Sequence, residues 1–252
     1  MITPWLPFRT RVAMLARLMT LQGSYNYETM IGNGVAFAME PALRLLPGGR
    51  GGDAYREAMA RQSRYFNAHP YFAAVAVGAL ARAELSLEAP ERIERFRTAS
   101  CGPLGSVGDR LVWAAWLPLC SLFALSAYGF GAPALAVVSL FLVSYNAGHF
   151  ALRIWALNVG WRDGLGVASA LAAPIFRTGP ATLTRVAAFA AGVALPMVIA
   201  NAVGVRFTGV AVIALVGGLG ATVLLLLNGR LAGWRSAIWL LAASTVAAMV
   251  IR

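Results

Sequence analysis

The sequence predicts an all-α membrane protein: about five transmembrane helices preceded by broken or re-entrant and amphipathic helices. Three observations carry this reading. Hydrophobic residues make up 59% of the chain and charged residues 12%, against roughly 25% charged in a soluble domain. Past residue 110 only one acidic side chain, Asp163, occurs in 142 residues, while nine of the ten acids precede it. Uncharged apolar runs cover residues 111–130, 132–152, 186–205, 207–229 and 236–251. The first four match the ~17–25 residues a helix needs to cross a hydrocarbon core, and the fifth is slightly short. In lipid the backbone must satisfy its own hydrogen bonds, so these runs are read as helices. The chain accordingly divides into an amphipathic and re-entrant helical region, 1–110, and a transmembrane region, 111–252.

The elements before residue 110 follow from local pattern. Residues 9–21 read as an amphipathic helix at the membrane interface, with Val12, Leu15 and Met19 turned to the acyl chains. Arg9, Arg11 and Arg17 interrupt any apolar core a cleavable signal would need. Residues 22–46 hold a short apolar helix pattern broken by Gly32 and Gly34 and closed by Pro41 and Pro47. The run 47–52, Pro-Gly-Gly-Arg-Gly-Gly, reads as a flexible turn. Residues 53–67 are polar and helical, with Asp53 as the N-cap. Residues 70–81 form a second apolar stretch too short to span. Residues 85–99 form a charged helix with Pro90 near its start, and the glycine-rich 101–109 leads into the first span. Two short interrupted apolar segments beside full spans fit the broken helices of secondary transporters. They fit equally the buried helices of a cytoplasmic cap.

The net charge of +11 is wholly arginine, since the sequence has no lysine. A basic balance can mark a nucleic-acid surface, but here the arginines follow the positive-inside rule. Arg162, Arg177 and Arg185 fall between spans two and three, and Arg230 and Arg235 between spans four and five. Arg206 and Arg252 are left for the opposite side. The N-terminus is therefore placed in the cytoplasm. Cys101 and Cys120 have no metal-ligand spacing and read as packing residues. No cofactor is implied.

Four segments in order carry a family resemblance: LQGSYNYETMIGNG at 21–34, YFNAHPYFAAVAVGALARAE at 65–84, GPLGSVGD at 102–109, and, more weakly, YNAGHFALRIWALNVGWRDG at 145–164. Together they resemble subunit IID of the mannose/fructose/sorbose-type sugar phosphotransferase system, over nearly the whole chain. The resemblance implies a multi-pass permease subunit in the bacterial inner membrane, acting with a IIC subunit. Cytoplasmic IIA and IIB subunits carry the phosphohistidines, so no catalysis falls to this chain. Its ligands would be a small-molecule sugar and membrane lipid, with no nucleic acid. Arg110 stands where the family usually has a small residue or proline, and the paired acids after the second segment are reduced to Glu84. These departures motivate the alternative of a transport-inactive regulatory or binding protein that keeps the fold.

Candidate site residues come from the same segments. Asn67 offers both donor and acceptor, to a sugar hydroxyl or to the end of the next helix. Glu84, Glu28 and Asn26 are the further substrate-binding candidates, because carboxylates form short, strong hydrogen bonds to hydroxyls. Pro70 disfavours helix at His69 and breaks the chain there. Gly102, Gly105 and Gly108, with Asp109, are read as a hinge or re-entrant turn beside the sugar path, or as a tight helix-packing surface. The octapeptide matches neither a phosphate-binding loop nor a nucleophile elbow. Asp109 is expected to pair with an arginine or cap the first span. Asn146, His149 and Arg153 share one helix side and are read first as contacts between helices, then as permeation residues.

Overall fold

The computed structural model describes residues 4–203 together with residues 217, 218, 220, 223 and 227. Regular structure among them is helical, with isolated bridges pairing Asn26 to Met30 and Met30 to Phe66. The helices are α1 (Phe8–Leu18), α2 (Gly32–Leu43), α3 (Asp53–Gln62), α4 (Ala73–Leu85), α5 (Pro90–Gly108), α6 (Leu117–Gly129), α7 (Ala134–Asp163), α8 (Ala168–Leu171) and α9 (Pro174–Val203). A π-helical stretch, Asp109–Trp116, joins α5 to α6 without a break.

Among the described residues, three helices are long and apolar enough to cross a membrane: Pro90–Gly129, Ala134–Gly166 and Ala168–Ile199. The chain is thus an all-α, multi-pass membrane fold. The expected spans at 207–229 and 236–251 lie outside the described residues, apart from isolated positions in the first. The described helices overrun the apolar runs that announced them. α5 starts some twenty residues before 111, and α7 runs past 152 to Asp163. Hydropathy marks the lipid-compatible part of a helix, whereas the helix itself continues wherever its polar end finds partners.

The molecule comprises two compact units. One holds the chain up to Arg110 together with Gly148–Phe176; the other holds Leu111–Ala147 and the described residues from Arg177 onward. The composition change at 110/111 marks one passage between them. The later ones, at 147/148 and 176/177, fall inside the continuous helices α7 and α9.

In the first unit, α1 turns Met14 and Leu18 inward against α2 while Val12 stays exposed and Leu15 and Met19 half-buried. Gly32 and Gly34 begin α2 rather than breaking it. They permit close approach: a Cβ on Gly32 would strike the Arg64 carbonyl, and one on Gly34 the Leu21 carbonyl. Pro41 lies inside α2 and does not end it. Asp53 is the first residue of α3, after Gly52 at the N-cap, and pairs with Arg56 at 3.3 Å. Residues 47–52 form a tight turn, in which Gly48 and Gly49 take φ of 78° and 56°, angles that a glycine adopts without strain. α4 is buried along almost its whole length, and α5 begins with Pro90 in its first turn, where the missing N–H costs nothing.

The second unit shows how spans carry polar residues. Ser121, Ser126, Ser144 and Asn146 each donate to the carbonyl four residues earlier in their own helix, at 3.0, 2.8, 2.7 and 2.8 Å. Such back-bonding hides the group where no water is available. α6 meets α9 at Gly129, where a Cβ would lie 2.5 Å from that of Met197. Asn201 Nδ2 donates to the Tyr128 carbonyl at 3.1 Å, beside the end of α6.

Candidate functional site

Within the first unit the motif segments meet around residues 65–84. The segment after α3 runs extended: Ile31 N–H donates to the Phe66 carbonyl at 3.0 Å, and Phe66 N–H to Thr29 at 3.1 Å. Phe66 is fully buried. Side chains alternate along an extended chain, so Tyr65 and Asn67 point outward, and both are exposed. The third segment arrives from α5, where Gly108 abuts the His69 side chain. The fourth arrives on α7. His149 stacks on Tyr71 with ring centroids 4.2 Å apart, and a Cβ on Gly78 would lie 2.7 Å from the Trp161 nitrogen.

The sequence-predicted residues divide sharply in this frame. Asn67 caps nothing: the residue before α4 is Phe72, with no side-chain cap, and Asn67 is exposed. Asn26 folds its own loop. Its Oδ1 accepts from Glu28 and Thr29 N–H at 3.0 and 2.8 Å, and its Nδ2 donates to Ser24 O and Thr29 Oγ1 at 3.1 and 2.8 Å. Glu28 is exposed on that loop, beside Tyr25 and Tyr27.

Glu84, read from the sequence as a solvated acid or sugar acceptor, is only 4% exposed. Arg61 grips it with two bonds of 2.9 Å, and Gln62 Nε2 adds a third at 2.6 Å. Both oxygens are engaged within the protein. Pro70 is buried, in the bend between the extended segment and α4. Gly102, Gly105 and Gly108 lie within continuous α5, so the expected hinge or re-entrant turn is helix instead. Asp109 is exposed and makes no ion pair among the described residues. It opens the π stretch, and helix on both sides leaves it nothing to cap.

The three α5 glycines differ in what surrounds them. A Cβ on Gly102 meets nothing, one on Gly105 comes 4.0 Å from Ala68, and one on Gly108 would overlap His69, 2.8 Å from its Nδ1. Gly102→Ala and Gly105→Ala should therefore be neutral or stabilising by up to about 1 kcal/mol, the helix-propensity gain over glycine. Gly108→Ala should lower the unfolding temperature, as thermal melts in detergent would show.

Sequence reasoning passed over Arg97 and Arg82, which close helix ends, and read Arg153 as a contact between helices. Arg97, 1% exposed, donates to the Gln62, Arg64 and Tyr65 carbonyls after α3 and to Gln62 Oε1. Arg82 donates to the Trp161 and Arg162 carbonyls at the end of α7. Arg153 donates to the Leu18 carbonyl ending α1 and to His149 Nε2. A planar fork of five N–H groups suits these unpaired C-terminal carbonyls, where a lysine offers only a compact point charge. The absence of lysine was the available signal.

Two shifted titrations bear on stability. Burial first, then the Arg153 charge, lowers the His69 pKa from 6.5 to about 4. Between those values the unfolded chain binds a proton that the folded one refuses, so this contribution is complete above pH 6.5 and lost as pH falls through 4. Burial alone would raise the Glu40 pKa, but bonds from Arg44, Arg50 and Arg17 overcome it and hold the group at about 2 against 4.5. That contribution is complete above pH 4.5 and lost as pH falls toward 2. Unfolding temperature should thus fall in two stages on acidification, and His69→Gln should remove the upper stage only.

Comparison with known proteins extends this geometry. Residues 6–227 match the profile of the PTS system mannose/fructose/sorbose family IID component. The PTS system mannose-specific EIID component of Escherichia coli K12 is 31% identical over 152 residues, covering 58% of this chain and 52% of that protein. The fructose permease IID component of Bacillus subtilis 168 is 29% identical over 166 residues, covering 64% and 58%. The chain therefore spans about half the length of the curated relatives it matches. Among solved structures, a mannose transporter ManYZ complex with microcin E492 shares the fold at TM-score 0.59 and 23% identity, covering 75% of this chain and 69% of that one. A second, described as a membrane protein, aligns at TM-score 0.65 and 24% identity, covering 75% and 70%. With a family profile covering most of its length and the motif segments packed against one another, the chain belongs to the mannose/fructose/sorbose family of phosphotransferase-system IID components.

Proposed function

We propose that this chain is a IID permease subunit that works with a IIC subunit to move a hexose-type sugar across the bacterial inner membrane. The observation that carries this reading is the convergence of the other three family segments on the second, residues 65–84. The sugar is handed to a phosphohistidine on a cytoplasmic IIB subunit supplied by IIA. Phosphorylation traps it, because a charged sugar phosphate does not recross an apolar barrier. The chain contributes wall and gate, and the phosphoryl chemistry lies on its partners.

Asn67 and Glu28, exposed on adjoining loops, are the groups available to a sugar or to the IIC surface. Asn26 and Glu84 hold those loops and their supporting helices in place. The test is co-expression with a IIC partner and measurement of labelled hexose uptake in cells that contain IIA and IIB. Asn67→Ala should reduce uptake about two- to tenfold, the worth of one neutral hydrogen bond, with membrane insertion unchanged. A stable complex that takes up no hexose would identify a transport-inactive regulator that kept the fold.

The topology proposed with this function has five spans, residues 207–229 and 236–251 supplying the last two. Positive-inside placement puts the N-terminus and the 153–185 connection in the cytoplasm and Arg206 outside. Cysteine substitutions at 206 and 177 labelled by an impermeant maleimide read this directly: only the first should react in intact spheroplasts.

A further inference from the structure

Around Glu40 the first unit gathers more positive charge than it needs. Glu40 is 6% exposed. Its Oε2 accepts from Arg17 at 2.7 Å, and its Oε1 accepts from Arg44 Nε at 2.6 Å, Arg50 Nε at 2.9 Å and Tyr55 OH at 3.2 Å. Three guanidiniums on one carboxylate leave a surplus of two positive charges. Each guanidinium has five N–H groups, and most remain unspent. Among the described residues Arg44 donates only through Nε, and Arg17 only through Nη1, to Glu40 and the Phe37 carbonyl. The arginine side chains of positions 44 and 50 are 43% and 63% exposed, so their unused donors face outward.

The placement is built, not incidental. The glycine turn 47–52, with its two left-handed residues, swings Arg50 back onto α2. Phe37 packs against the Arg17 guanidinium at 4.4 Å, and both Phe37 and Leu45 are exposed large apolar residues on the same helix and its end. An anion meeting this cluster finds paired N–H forks, a charge surplus and apolar side chains beside it.

We propose that the Arg17–Arg44–Arg50 cluster around Glu40 binds a phosphate-bearing anion, the headgroup phosphate of an anionic membrane lipid. Arginine pairs with phosphate through parallel hydrogen bonds, and anionic lipid attracts basic segments at the membrane surface. Exposed Phe37 and Leu45 distinguish a lipid from a free phosphate, because only a lipid brings acyl chains to cover them. Glu40 is the template that holds the three forks at one point.

The test uses the purified full chain in a neutral detergent. Dioleoylphosphatidylglycerol, dioleoylphosphatidylcholine and inorganic phosphate are titrated separately, and the unfolding temperature and retained adducts are read by native mass spectrometry. Phosphatidylglycerol should raise the unfolding temperature and remain bound, and the Arg44→Gln/Arg50→Gln double variant should bind it at least tenfold more weakly. Arg92→Gln/Arg95→Gln, which removes the same charge from α5, should bind as the parent does. Equal stabilisation by inorganic phosphate would assign the same cluster to a soluble phosphate and remove the lipid as its source. Undiminished phosphatidylglycerol binding in a folded Arg44→Gln/Arg50→Gln protein, or equal loss in the α5 control, would overturn the proposal.

Discussion

Glu84→Ala should destabilise the first unit by about 3–5 kcal/mol, the cost of removing one partner from a buried ion pair. The carboxylate lies between Arg61 and Gln62, and Gln62 in turn accepts from Arg97, so four polar side chains form one chain of contacts. Without Glu84, the Arg61 guanidinium, 16% exposed, loses its counter-charge, and Gln62, fully buried, loses an acceptor. Replacing both charged partners by similar apolar volume removes the uncompensated charge. Arg61→Leu/Glu84→Leu should therefore melt at a higher temperature than Glu84→Ala. Thermal unfolding in detergent measures both. A Glu84→Ala protein as stable as the parent would show that water reaches the pair and screens it.

Gly160→Ala is expected to cost about 3 kcal/mol, the top of the range for overpacking. The obstacle is backbone: the added methyl would strike the Val75 carbonyl and lie 2.9 Å from its carbon and 3.0 Å from the Ala79 nitrogen. A side chain can rotate away, but a helix backbone can only separate. Gly78 presents the matching surface on α4, against Leu157 and Trp161, so α4 and α7 cross with their main chains almost touching. Gly166→Ala, which meets nothing within 4 Å, is the control and should fall within about 0.5 kcal/mol of the parent. Comparable yields and melting temperatures for the two variants would refute close helix contact as the role of Gly160.

How much of this was legible in the chain varies by kind. Among the described residues, helices were legible where apolar residues ran on without charge, and so was the break at Pro70, which follows from the ring of proline itself. The partition into two units was not, because its later boundaries, at 147/148 and 176/177, fall inside the continuous helices α7 and α9. Glycines misled in both directions. Gly102 and Gly105 suggested a hinge and sit in ordinary helix, whereas Gly78 and Gly160, which the sequence reading did not single out, mark a close crossing of α4 and α7. A glycine in sequence declares freedom, but only the facing backbone decides whether that freedom is used. Charges misled likewise: Glu84 reads as solvated until Arg61, 23 positions away, is seen to fold onto it.

The bond from Arg153 to the last turn of α1 has a bearing on how the protein is made. Its two ends are 135 residues apart. At roughly 5–20 residues per second of synthesis, the front of the chain waits about 7–27 seconds for that partner to leave the ribosome. During that interval the Leu18 carbonyl at the end of the opening helix lacks the Arg153 donor that closes it. A nascent chain in this condition needs shelter, and truncated messages ending before codon 153 should yield products that are degraded rapidly instead of accumulating as a stable fragment.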